Sequence, residues 1–319
     1  MKTAIVTGAF GYIGSVLCKL LKENDYYVYG IDNRAFYPKE AHRIKYCDYF
    51  VNSDFTSLKQ SLQYYPSGTV FHLAANSLLG PSAYDPLSYF ANNSSKTVAL
   101  LDFLARNHKV VFASTAAVYE QSKAVKTENS PLAPPNNYGM SKLWCEQAID
   151  SCFEIKQMKA TTFRFFNVIG SYGDVGQEKK TPHVVNQLCD AAYTGTPFKM
   201  YGSDWDTRDG SCVRDYVHVV DVCRAMIHAD QYMDTVHGPM HQKFNLGTSK
   251  GTSVLELVNT FSDVVKPIDV QVVERRKGDP AYLIADPSKF VDVTGFEYEY
   301  GERKLNEMIE SAWSYYNAF

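Results

Sequence analysis

The sequence predicts an α/β protein: a doubly wound parallel sheet followed by a smaller mixed α/β lobe. Three observations carry this. Short β-rich runs alternate with helical patterns through the first half of the chain. A glycine-rich segment, TGAFGYIG, joins the first strand pattern to the first helix pattern. Beyond Asn167 the texture becomes loop-rich and polar, as in GSYGDVGQEKKTP and YGSDWDTRDGS.

Taken in order, KTAIVTG reads as a strand, GSVLCKLLKEN as an amphipathic helix and YYVYGIDN as a second strand. TVFHLAA and KVVFAST follow as strands, separated by the helical SSKTVALLDFLARN. After the turn PLAPPNN a helix runs through MSKLWCEQAIDSCFEI, and KATTFRFFN forms another strand. Such alternation implies right-handed crossovers and a parallel sheet with helices on both faces. The expected division is a nucleotide-binding domain over 1–168, to which a segment near 213–240 returns, and a second lobe over 169–319 containing the helical HVVNQLCDAAYTG.

The chain has 319 residues and a net charge of −3, which gives no field suited to nucleic acid or an anionic membrane. No apolar run approaches the ~20 residues that span a bilayer, and the start, MKTAIVTGAFGYIG, enters a strand without a signal peptide. Seven cysteines, an odd number without a C-x-x-C, read as free thiols of a reducing compartment. A cytoplasmic location is expected. His237 and His241 flank Gly-Pro-Met and cannot share a helix face, so no metal site is expected.

In TGAFGYIG, Gly8 permits a tight turn, Gly11 lets backbone approach a pyrophosphate and Gly14 lets the helix pack close to the sheet. Asp32 ends the next strand, 18 residues beyond Gly14, where a carboxylate accepts ribose hydroxyls and repels a 2′-phosphate. The pattern is that of a Rossmann domain and favours NAD over NADP. Arg34, close by, keeps NADP open as the alternative; otherwise it reads as a solvated loop cation. Asp54 and Phe55 fit an adenine edge, although Asp54 also suits the cap of a helix beginning at Phe55. HLAAN ends its strand in small residues past which a cofactor can lie.

Three Tyr/Lys pairs stand four residues apart: Tyr119/Lys123, Tyr138/Lys142 and Tyr300/Lys304. The first straddles a turn and the last contains Gly301, and both read as surface pairs. Tyr138 stands at the mouth of a long helix carrying Lys142, and Thr115 lies 23 residues before it at the end of a strand. Ligands of doubly wound sheets gather at such strand ends.

The chain resembles the extended short-chain dehydrogenase/reductase family, most closely its UDP-sugar 4-epimerases acting on UDP-glucose and UDP-galactose. TGAFGYIG, DN at 32–33, HLAA, NN at 92–93, STAAVY, YGMSK, FRFFN, VRDYVHVVD and RRKGDPAY carry the likeness in family order. The resemblance implies that Tyr138, as phenolate, takes the proton of the sugar 4-hydroxyl while C4 gives hydride to NAD. The 4-keto sugar then rotates and receives the hydride on its other face. Lys142 and the oxidised nicotinamide are expected to lower the phenol's pKa, with Lys142 also holding the nicotinamide ribose. Thr115 is expected to bond the reacting oxygen and relay the proton. Further cofactor contacts implied by the resemblance are Tyr12, Ile13 and Asn33 near the glycine turn, and Leu73, Ala74 and Ala75 after the HLAA strand. Asn93, Ser114 and Phe165 complete them. The second lobe is expected to bind the nucleotide diphosphate: Arg214 and Arg276 clamp phosphate oxygens, Asp279 takes the uridine ribose, and Asn167, Tyr201 and Tyr282 complete the site.

Ala116 and Ala117 stand where sister dehydratases carry an Asp-Glu pair, which argues against dehydration. UDP-N-acetylhexosamines and UDP-pentoses are the rival substrates, and a bulky Tyr282 at the sugar wall favours plain hexoses. A silent NAD-binding regulator is the reading of another class. Asn76-Ser77 and Phe165 depart from the family's usual lysine and tyrosine, and TPHVVNQL lacks an Asn-Asn pair. A homodimer is expected, in which the helix after NN and the Tyr/Lys helix pair with a second copy, although both also suit simply covering the sheet.

Overall fold

A computed structural model describes residues 1–33, 41–58, 68–104, 108–276, 278–301 and 304–318. Arg34 lies outside the described residues. The chain forms two compact units: one holds Met1–Val118, Pro134–Arg164 and Cys223–Phe244, the other Tyr119–Ala133, Phe165–Val222 and Asn245–Phe319.

The first unit is built on a seven-stranded sheet. Its strands are β1 (Lys2–Thr7), β2 (Tyr26–Asp32), β3 (Tyr49–Asn52), β4 (Gly68–His72), β5 (His108–Thr115) and β6 (Lys159–Phe165), with β10 (Met240–Leu246) at the edge. The order is β10-β6-β5-β4-β1-β2-β3. β1 pairs in parallel with both β2 and β4, so the winding reverses between β1 and β4. This is the switch point outside which such sheets bind ligands. Apolar side chains of the strands and helices, including Ile5, Val70, Val110, Phe112, Cys145 and Ile149, form one buried core and hold the strand ends fixed.

The helix Tyr12–Glu23 buries Val16, Leu17, Leu20 and Leu21, as its apolar spacing requires. The run expected as one helix after NN differs in its start. Residues Phe90–Ser95 form a π-helical turn that leads into the α-helix Lys96–Phe103. Side-chain bonds from Asn92 and Asn93 pull on this turn and accompany the widened winding.

The second unit has a small sheet ordered β11 (Gly251–Ser253), β9 (Val213–His218), β13 (Tyr282–Leu283), with β7 (Asn167–Ile169) also paired to β9. A parallel pair joins β8 (Phe198–Tyr201) to β12 (Val270–Val273). Its core gathers Leu188, Met200, Tyr216, Leu257, Phe261 and Ile309. Here one surface-pair expectation fails. Tyr119 is only 2% exposed, and its hydroxyl donates to Asn245 Oδ1 at 2.6 Å. A ring that ends a strand run beside a buried amide is worth more inside than out. Lys123 is exposed and pairs with Asp206, whereas Tyr300 stacks on His218 with ring centroids 3.7 Å apart.

Candidate active site

The glycine turn is dictated by close backbone. Gly8 has φ +72°, and a Cβ on it would come 2.9 Å from the Ala74 amide nitrogen. A Cβ on Gly14 would come 2.0 Å from the Gly8 carbonyl oxygen, so the helix can sit on its own turn only without one. Gly11 differs. It has an extended backbone and caps the helix Tyr12–Glu23 with no side-chain hydrogen bond. The first amides of that helix, including those of Tyr12 and Ile13, are therefore set as a pyrophosphate would need them. Phe10 is anchored on both sides: its N–H donates to Asp32 Oδ2 at 2.9 Å, and the buried Arg43 donates through Nη1 to its carbonyl at 2.6 Å. Nothing in the sequence marked Arg43, because its partner is backbone. Asn33 directly follows β2 and is exposed. This cradle fits a dinucleotide.

Asp54 caps the 3₁₀ turn Phe55–Ser57, accepting from Thr56 N at 3.0 Å, and pairs with Lys96 at 2.5 Å. The Phe55 ring lies in the core, edge-on to His72 at 4.9 Å. After β4, Leu73 N donates to Thr7 O and Ala74 N to Thr7 Oγ1, each at 3.2 Å. Leu73, Ala74 and Ala75 stay partly exposed. The Asn93 amide is engaged within the protein: Oδ1 accepts from Asn76 N at 2.8 Å, and Nδ2 donates to Asn76 O at 2.9 Å and Ser141 Oγ at 3.0 Å.

Thr115 ends β5, and the chain turns at once through Ala116–Val118. The helix Asn137–Cys152 begins beside that turn, capped by Asn136 Oδ1, which accepts from Gly139 N at 2.8 Å. A Cβ on Gly139 would lie 2.2 Å from the Ala117 carbonyl oxygen. The glycine in YGMSK thus brings the helix mouth against the end of β5. As a result, Thr115 comes close enough to act on the Tyr138 phenol, and the Tyr89 ring stands edge-on to Tyr138 at 6.4 Å.

The electrostatics differ from the sequence expectation. Burial pushes the Tyr138 phenol up to about 12, against the lowering effect of Thr115. Lys142 does not reverse this. Only 2% exposed, it rests its Nζ 4.3 Å from the centroid of the Phe112 ring. Burial pushes its own pKa down to about 8, while Cys145 and Glu146 pull it back up. The reason is desolvation, which disfavours both charged forms together. Protein alone does not make the phenolate.

Ser114 points its hydroxyl away from this surface, donating to Glu146 Oε1 at 2.5 Å. Glu146 also pairs with Arg164, with Nη2–Oε2 at 2.7 Å. Phe165, at the end of β6, is 8% exposed.

In the second unit the nucleotide candidates cluster around β9. Arg214 lies on β9, and Tyr282 and Leu283 of β13 align with Val213 and Arg214. The Arg276 guanidinium lies 4.2 Å from the centroid of the Tyr201 ring. Asp279 N donates to Arg276 O at 3.3 Å; its charge and that of Arg214 act on the Cys212 thiol in opposite directions. Asn167 starts β7, level with Tyr216. Arg214, Arg276, Asp279 and Tyr282 are all partly exposed. Among the described residues, no group of three or more His, Cys, Asp or Glu side chains is placed to hold a metal ion, and no helix is long and apolar enough to cross a membrane.

Comparison with known proteins places this geometry in context. The profile of the NAD dependent epimerase/dehydratase family matches residues 4–247. The UDP-glucose 4-epimerase of Corynebacterium glutamicum is 35% identical, covering 98% of this chain and 95% of that protein. The crystal structure of a UDP-glucose 4-epimerase from Stenotrophomonas maltophila, with bound NAD and formylated UDP-arabinopyranose, superposes with a TM-score of 0.93. It is 28% identical and covers 100% of this chain and 98% of its own. The Brucella ovis UDP-glucose 4-epimerase in complex with NAD gives a TM-score of 0.91 at 30% identity, covering 99% and 98%.

Proposed function

Because the chain belongs to the NAD dependent epimerase/dehydratase family, we propose that it is an NAD-dependent UDP-sugar 4-epimerase whose substrates are UDP-glucose and UDP-galactose. The observation that supports this is Tyr138 beside Thr115 at the end of β5, with Lys142 one helical turn further on over the Phe112 ring and an alanine turn alongside. Ala116 and Ala117 offer no acid to expel water, so the chemistry is confined to oxidation at C4 and its reversal. Relatives at 35% identity are named for that reaction.

NAD, when bound, supplies the hydride acceptor and donor for the sugar C4. The protein's residues do the rest. The amides beyond Gly11 hold the pyrophosphate, and Asp32 the adenosine ribose. Leu73 to Ala75 offer a close backbone floor, and Asp54 reads the adenine edge. Tyr138 removes the 4-hydroxyl proton and later returns it, while Thr115 bonds the same oxygen. Lys142 brings a cation near the base and to the nicotinamide ribose. Arg214 and Arg276 take the diphosphate and Asp279 the uridine ribose, with Asn167 and Tyr201 alongside. Tyr282 crowds the position of a 2-acetamido group, which favours plain hexoses.

The protein works as a cytoplasmic homodimer in this reading. Tyr84, Leu87, Val98 and Trp144 are 92%, 76%, 51% and 48% exposed on the segment after HLAAN and the Tyr/Lys helix, and the Phe90 ring packs tilted against Trp144 with centroids 4.6 Å apart. A second copy covering that face removes the apolar surface from water.

The decisive experiment incubates the protein with a panel of nucleotide sugars and separates the products. Interconversion of UDP-glucose and UDP-galactose is expected. No epimerisation of any UDP-sugar with NAD supplied would overturn the reading, and equal turnover of UDP-N-acetylglucosamine would overturn the role of Tyr282.

A further inference from the structure

The mechanism leaves several buried charged groups unused, Glu146 and Arg164 among them. Glu146 and Arg164 are each 1% exposed. Arg164 donates through Nη2 to Glu146 Oε2 at 2.7 Å and through Nε to both carboxylate oxygens at 3.2 Å. The Ser114 hydroxyl completes the set on Oε1 at 2.5 Å. One carboxylate therefore ties together β5, β6 and the helix Asn137–Cys152. Such a pair is a poor device for stability alone, since apolar side chains of similar volume do as well or better. Its neighbours suggest another purpose: Ser114 precedes Thr115, and Glu146 stands one turn after Lys142.

We propose that Glu146, held by Arg164 and Ser114, is a positioning residue for the reaction, fixing β5 against the helix that carries Tyr138 and Lys142. It also places a negative charge one turn from the Lys142 ammonium. The inference rests on the reading of Tyr138 as the base. The charged and titratable groups acting on Lys142 are Cys145 and Glu146 from its own helix and His72 from β4, with the Phe112 ring of β5 against it. Those acting on Tyr138 are Thr115, Tyr89 and Cys145. Arg164 takes Glu146 from β6. No other carboxylate acts on Lys142 among the described residues.

Two variants test the proposal, the first its mechanical part alone. Ser114→Ala cuts the link to β5 and leaves the ion pair. The double variant Glu146→Met with Arg164→Met replaces the pair by apolar volume. Ser114→Ala is expected to lower kcat about tenfold, with KM within about twofold and a melting temperature lower by about a few degrees. In the double variant the Lys142 amine, followed by NMR of 13Cε-labelled lysine without substrate, is expected to titrate about one pH unit lower. The fall of kcat at high pH moves down with it, because of the two charges removed only Glu146 acts on the Lys142 ammonium, and its loss favours the neutral amine. Unchanged kcat in Ser114→Ala overturns the proposal, as does an unmoved Lys142 titration in a folded double variant. If the double variant does not fold, Ser114→Ala decides. A parent protein inactive on every UDP-sugar instead removes the functional reading, a result separate from either.

Discussion

In the unit that begins at Met1, His72, Asn93, Glu146 and Arg164 are buried and bonded to other protein groups, whereas in the other unit Arg214 and Arg276 are partly exposed and Arg276 rests on an aromatic face. His72 bridges Thr7 Oγ1 at 2.7 Å and Thr97 Oγ1 at 2.8 Å, Asn93 clasps Asn76 and Ser141, and Glu146 holds Arg164. Against this, Arg276 leans on Tyr201, and Arg275 lies 4.4 Å from the Trp205 ring centroid with Asp204 as its ion pair. The first arrangement suits groups that must not move while a proton is transferred. The second suits capture of a charged ligand by side chains that adjust. Changes in the first unit should therefore fall on kcat, and changes in the second on KM.

The largest test of that contrast is Tyr138→Phe, expected to lower kcat about 1,000-fold with little change in KM, measured by product chromatography. Full activity would remove Tyr138 as the base. Gly139→Ala comes next. Its Cβ would meet the Ala117 oxygen at 2.2 Å, so the helix mouth must retreat from Thr115, and kcat should fall about 100-fold with a lower melting temperature. A fully active, equally stable variant would show that this contact does not set the distance. Arg276→Ala should raise KM for the UDP-sugar about tenfold and leave kcat near the parent value, with Arg276→Lys in between. A selective loss of kcat there would erase the contrast.

The smallest effect is a titration. Without cofactor the Tyr138 phenol is pushed up to about 12, so the neutral phenol persists well above neutral pH. Saturation with NAD adds positive charge, favours the phenolate and should lower the midpoint by about one pH unit, read by 13Cζ-tyrosine NMR with Tyr138→Phe as the reference. An unmoved midpoint would mean that the cofactor's charge does not reach the ring, and a rise that burial beneath the cofactor outweighs it.

The strand and helix order was legible because the period and the glycine punctuation are local signals. TGAFGYIG specifies its turn through Gly8 and Gly14 contacts that any reader of backbone geometry can foresee. The Ser114–Glu146–Arg164 cluster was not legible, because its three members lie on two neighbouring strands and a helix that meet only once the sheet is assembled. Tyr119 was misread for the same reason, its partner Asn245 being 126 residues away. The seat of Lys142 over Phe112 likewise depends on packing, and with it the failure of spacing alone to foretell the charge state of Tyr138.

Asp32 has a consequence for anyone who would change the cofactor. One oxygen of its carboxylate already fastens the Phe10 amide, so the residue that would choose between two dinucleotides is also a stitch in the loop that would receive them. Replacement by alanine or serine to admit a 2′-phosphate removes charge and stitch together. Asparagine keeps a carbonyl for Phe10 while discarding the charge, which makes it the natural first step for such a redesign.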